Sequence, residues 1–120
     1  MSEVPLFDQT VFLELSSELG QEDTVDVLKA FLADTSRKMG VMASAVQDRS
    51  TVKREAHSIK SSAATFGFAE LSALAREIES RAEADGPAEL YEFVETLGRV
   101  FERTSKLAQA QLLGTSAKVA

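Results

Sequence analysis

The chain has 120 residues, the size of one domain, and its 44% hydrophobic and 27% charged residues are the balance of a globular protein with its own core. With no cysteine and one histidine it excludes disulfides, thiolate chemistry and multi-histidine metal sites, and a net charge of −6 argues against a nucleic-acid partner. No apolar run approaches the roughly 20 residues that cross a bilayer, and "MSEVPLFDQT" lacks the regions of a signal peptide, so the expectation is a cytoplasmic protein with no membrane attachment.

The pattern is helical throughout, and neither Pro5 nor Pro87 interrupts a periodic segment. A first helix is predicted from about Phe7 to Ser17. Asp8 can cap it, Phe7, Val11, Leu15 and Leu19 form one stripe, and Gly20 ends it. A second runs from about Asp23 to Asp48, with Asp23 and Asp26 placing negative charge at the positive end of the dipole. Its seam is Val25, Leu28, Phe31 or Leu32, Met39, Met42 and Val46. Gly40 inside it is accounted for only by close packing or a bend.

A third helix should start near Ser50 or Thr51, either of which can cap it, and end at the turn glycine Gly67. A fourth covers about Ala69 to Ala84, with Leu71, Leu74, Ala75, Ile78 and Ala82 inward. After the "ADGPAEL" break, a fifth runs from Pro87 to about Leu112 on Leu90, Phe93, Val94, Leu97, Val100, Phe101, Leu107 and Ala108. Short links between long amphipathic helices imply an all-α fold: an up-down antiparallel four-helix bundle with an additional short N-terminal capping helix. Residues 1–112 form the bundle, and residues 113–120 are expected to be a frayed tail.

The third helix carries the chemistry. With His57 at zero and 100° per residue, Val52, Ala56, Ile59, Ala63 and Phe66 fall between about 180° and 260°. That arc is the core stripe, so His57 faces solvent. Lys53, Arg54, Lys60, Ser61 and Ala64 share its face one turn away. The bland reading is a solvated surface histidine. Against it stand the cationic neighbours, the small residues beside the ring and the rigid support. An exposed imidazole can attack a phosphoryl group in line, and Lys60 can supply positive charge to its oxygens. No glycine-rich nucleotide loop and no acidic magnesium cluster accompany it. Such a site can carry a phosphoryl group but must receive it from another protein.

The stretch "AHSIKSSAATFGFAELSALAREIE" resembles the signature of histidine-containing phosphotransfer (HPt) domains. His57, Ile59, Lys60, Gly67, Leu71, Leu74 and Ile78 match that family's pattern. "FLELSSELGQEDTVDVLKAFLADT" resembles its opening helices and "GPAELYEFVETLGRVFER" its last. The resemblance implies that His57 accepts phosphoryl on Nε2 and that Lys60 contacts the phosphate. It also places Glu79 where the family often has Gln or Glu, able to bond the other ring nitrogen and orient the ring. A solvated surface glutamate is an equally good reading of Glu79.

The chain departs from the family pattern where Ser61 and Ala64 replace glycines that usually clear space for a partner. The implied partners are response-regulator receiver domains and a sensor or hybrid histidine kinase. The implied function is a relay from Asp to His to Asp. No cofactor is expected on this chain, since magnesium would sit on the receiver. Lys53, Arg54, Ser61 and Ala64 are the expected phosphate or partner contacts. Phe7, Phe12, Phe68 and Met39 are candidates for an apolar docking ring, though each reads better as core. The rival function is a receiver-binding adaptor that carries no phosphate. The dimerisation segment of a sensor kinase fits less well, because Ser58 rather than an acid follows His57 and five helices complete a core, which predicts a monomer. A start at Met1 with complete end helices suits a free-standing carrier, and a domain cut from a larger protein would look the same.

Overall fold

A computed structural model describes residues 4–113. Its helices are α1 (Gln9–Leu19), α2 (Gln21–Ser44), α3 (Arg49–Phe66), α4 (Ala69–Arg81) and α5 (Pro87–Leu107), the last continuing as a π-helical turn, Ala108–Leu113. Each of α2 to α5 packs on the next, and α5 returns to α2; α1 packs on α2 and α3. The fold is a helical bundle. No strand occurs among the described residues.

Several helix boundaries differ from the sequence reading, each for a local reason. Gly20, at φ 87°, turns the chain in a single residue, so α2 begins at Gln21 rather than Asp23. The Gly20 carbonyl accepts from both the Thr24 amide and the Thr24 hydroxyl, which closes the first turn of α2. At the other end α2 stops at Ser44, not Asp48. Asp48 is instead the cap of α3, a role assigned from sequence to Ser50 or Thr51. Its carboxylate accepts from the Thr51 amide and from the Ser50 and Thr51 hydroxyls, which hold it below the usual carboxylate range. Helix α4 ends at Arg81, and α5 ends at Leu107 where the backbone opens into the π turn. Leu113, expected in the tail, is the last residue of that turn; the rest of the expected tail lies outside the described residues.

The core follows the predicted stripes except at the end of α1, where Leu19 is exposed. On α3, Val52, Ala56, Ile59, Ala63 and Phe66 are all buried. Leu71, Ala75, Ile78 and Ala82 oppose them from α4 and its C-cap, and Leu90, Val94, Leu97 and Val100 line α5. Three threonines join the core unannounced: Thr24, Thr35 and Thr104. The hydroxyl of Thr104 donates to the Val100 carbonyl four residues back, so it enters the core satisfied. Helix α1 has no fully buried residue and lies over the bundle as a cap.

Gly67 fixes one end of α3. It sits at φ 86°, and a Cβ there would run into the Asp8 carbonyl oxygen and crowd Val11. The Asp8 amide donates to the Gly67 carbonyl at 2.7 Å, so α1 enters on the turn that ends α3. Phe68, considered for docking, is completely buried. Its ring packs with those of Phe7, Phe31 and Phe66, and it belongs to the core. Phe7, Phe12 and Met39 are half-buried against the same core.

Candidate phosphoryl site on the α3–α4 face

Helices α3 and α4 form the most extensive contact in the molecule. Bonds across the two helices show that they run antiparallel: Lys53 to Glu83, then one turn on His57 to Glu79, and the Ser72 hydroxyl to the Lys60 carbonyl. His57 stands mid-face, with 60% of its side chain exposed. It is outward because its neighbours Ala56 and Ile59 take the buried arc.

Glu79 reaches across from α4 and engages two side chains. Oε2 lies 2.8 Å from His57 Nδ1, and Oε1 lies 2.8 Å from Lys60 Nζ. The Lys60 ammonium above all, with help from the His57 ring, holds the Glu79 carboxyl below the ordinary glutamate range against the opposing effect of burial. An ionised carboxylate can only accept, so the ring hydrogen sits on Nδ1. Nε2 has no partner among the described residues. The sequence treated Glu79 as equally well read as a solvated surface residue; its side chain is 21% exposed and bound at both oxygens.

The other residues singled out from sequence lie on the same face, in different states. Lys53 Nζ is 3.1 Å from Glu83, and Arg54 is 3.5 Å from its neighbour Glu55. Arg49 donates to the Glu83 and Ala82 carbonyls, covering the C-terminal end of α4 where the dipole is negative. Ser61 and Ala64 are exposed, one and two turns past the histidine. Beside them opens a groove between α3 and α4 that Arg76 also lines. The sequence reading passed over both Arg76 and Ser72. A signal was present: Arg76 is three residues before Glu79, and Ser72 seven, on one face of α4.

The family model of the Hpt domain matches residues 26–111, well over half of the chain. The chain belongs to the Hpt family. Domains of this family transfer phosphoryl groups in two-component phosphorelays and interact with receiver domains and histidine kinases. No curated protein and no solved structure gave a significant match. The match takes in α3 to α5 of this Hpt domain, nearly all of α2, and the whole His57–Glu79–Lys60 arrangement, and it begins after α1. Among the described residues no helix is long and apolar enough to cross a membrane.

Proposed function

We propose that this Hpt domain is a relay carrier that takes a phosphoryl group from the aspartate of one receiver domain onto His57 and passes it to the aspartate of another. The observation that carries this reading is the exposed His57 ring held at Nδ1 by Glu79, with Nε2 unengaged. Nε2 attacks phosphorus with its lone pair as the bond from phosphorus to the aspartyl oxygen breaks, and the aspartate leaves as a carboxylate. Nδ1 keeps its hydrogen throughout, so loading needs no proton transfer. Discharge is the reverse: the acceptor carboxylate attacks phosphorus, and the N–P electron pair returns to Nε2.

Lys60 balances charge on the phosphoryl oxygens. One of its three N–H donors is committed to Glu79, which leaves two for the phosphoryl group. Lys53 and Arg54 add a positive field on the same face, and Ser61 and Ala64 leave room beside the ring. Magnesium belongs to the receiver in this scheme, and the carrier works as a monomer.

Incubation with a phosphorylated receiver should give an acid-labile, base-stable label on the wild-type chain and none on His57→Gln. Label that persists in His57→Gln removes the assignment, and a wild type that binds receivers without ever taking label is an adaptor. Lys60→Ala should fold normally and transfer about tenfold more slowly, a loss of about 1.4 kcal/mol in the transition state. An unchanged rate takes Lys60 out of the mechanism.

A further inference from the structure

His57 lines one of the two depressions on the α3–α4 face and not the other. Its own lies toward the start of α3 and encloses about 450 Å³, with Arg49, Lys53 and Arg54 as cations and Glu79 and Glu83 as acids. Lys60 lines the other depression, on the far side of the ring. Helix geometry gives the reason. A long helical side chain leans over the turn before its own Cα, so the imidazole lies over the turn that carries Lys53 and Arg54. Nδ1 is tied to Glu79 on α4, which leaves the outer nitrogen, Nε2, toward the open depression.

The three cations there are not equally free. Arg49 donates to the Glu83 carbonyl at 2.7 Å and also to that of Ala82, which fixes it at the end of α4. Lys53 Nζ crosses to Glu83 at 3.1 Å. Arg54 meets the Glu55 carboxylate at 3.5 Å and makes no hydrogen bond among the described residues. Adjacent helix positions do not face each other: the Glu55 side chain is 13% exposed, while that of Arg54 stands out at 67%. An ion pair of this kind holds its arginine weakly. The Arg54 guanidinium donors are thus available on the side where Nε2 opens.

We infer that Arg54 is a second phosphoryl contact: it leaves Glu55 and holds two oxygens of the phosphoryl group on Nε2, from the side opposite Lys60. The inference rests on the relay reading of His57. At 100° per residue, Arg54 lies about 60° to one side of His57 and Lys60 about 60° to the other, so the two cations flank the ring. During loading the Nε2–P bond forms as the bond to the leaving group breaks. That group is an aspartate carboxylate from a receiver, or ammonia from N-protonated phosphoramidate. The phosphoryl oxygens keep their charge throughout. The guanidinium fork meets two of them through parallel N–H bonds, and Lys60 meets the remaining one as a point charge. Arg54 forms no covalent bond and gives up no proton.

The test uses one donor that docks and one that does not. Wild type, Arg54→Gln, Arg54→Lys and Arg99→Gln are loaded by isolated receiver domains phosphorylated on aspartate, and separately by phosphoramidate. Arg99, exposed on α5, controls for net charge. Arg54→Gln should take phosphoryl about tenfold more slowly from either donor, with the loss in kcat rather than KM for the receivers. Arg54→Lys should recover part of the rate, since it keeps the charge but not the fork, and Arg99→Gln should match the wild type. In the isolated phosphorylated chain the phosphorus NMR resonance of phosphohistidine should move in Arg54→Gln. Normal loading by phosphoramidate with a raised KM for receivers overturns the inference, since Arg54 would then be a docking contact. An unmoved phosphorus resonance overturns it too, as does an equal loss in Arg99→Gln. Failure of the relay reading looks different: the wild type takes phosphoryl from no receiver. Phosphoramidate loading then still decides the role of Arg54, and if His57 refuses that donor as well, the inference falls with the relay.

Discussion

At the scale of single residues, the decisive one is Glu79, because one carboxylate holds both His57 and Lys60. Its charge has a consequence for stability that can be measured without any partner. The ordinary glutamate value is 4.5, and in the fold the carboxyl is held below it, first by Lys60. The folded chain therefore binds this proton less readily than the unfolded chain does. The resulting stabilisation is complete above the ordinary range and fades as pH falls through the folded value. Glu79→Gln keeps an oxygen for Nδ1 but loses the charge that holds Lys60. The variant should be less stable than the wild type at about pH 6, by up to about 1 kcal/mol for a part-exposed pair, with the gap closing as pH falls below the ordinary glutamate value of 4.5. Urea midpoints of the two proteins across that range provide the check. A gap that does not depend on pH would mean that shape, not charge, is what the substitution removes. The exposure of His57 was legible because the apolar stripe of α3 leaves one side free, and that rule needs only the sequence. The bond from Glu79 to the ring was implied by the family resemblance alone, and the contacts of Glu79 with Lys60 and of Ser72 with the Lys60 carbonyl were not foreseen, because which groups meet depends on the register of α3 against α4, a tertiary quantity.

At the scale of elements, the stripes gave the right faces and the caps moved the ends. Asp48 was counted as the last residue of α2, yet its carboxylate gathers three donors from the start of α3. An aspartate with a serine and a threonine two and three residues on can be read either as the end of one helix or as the cap of the next. Thr24, Thr35 and Thr104 were missed for a related reason: a hydropathy scale counts threonine as polar, while in a helix its hydroxyl can return to the preceding turn and leave its methyl to pack. Gly40 shows what an element tolerates. Close packing was one of two explanations for it, but a Cβ there would meet nothing within 4 Å, and the residue is exposed inside a continuous helix. Gly40→Ala should then stabilise the protein by about 1 kcal/mol, chiefly by restricting the unfolded chain. Thermal denaturation of the two proteins reads this directly, and a lower melting temperature in Gly40→Ala would show that α2 needs the glycine.

At the scale of the whole molecule, the site depends on α3 and α4 staying in register, and the aromatic centre holds their junction. Phe68 lies in the link between the two helices, and its ring centroid is 5.6 Å from that of Phe31 on α2 and 6.0 Å from that of Phe66 on α3. Phe7, just before α1, adds a third ring at 5.7 Å and in turn meets Phe12 edge-on. One side chain thus ties the first three helices to the start of α4. Cutting Phe68 to alanine removes all of these contacts and leaves a cavity that a close-packed interior fills only in part. The expected loss is about 3–5 kcal/mol, a large part of the roughly 5–15 kcal/mol typical of a domain. A docking role for Phe68 predicts the opposite signature, normal denaturation and a raised KM with receivers. Phe68→Ala should instead unfold at much lower urea, and at a temperature where it stays folded it should still transfer phosphoryl to His57. Because α1 enters on the Gly67 turn directly before Phe68, the same variant should loosen α1, seen as faster hydrogen exchange at the Asp8 amide, which donates to the Gly67 carbonyl. Loss of transfer with unchanged stability and unchanged exchange would return Phe68 to the interface.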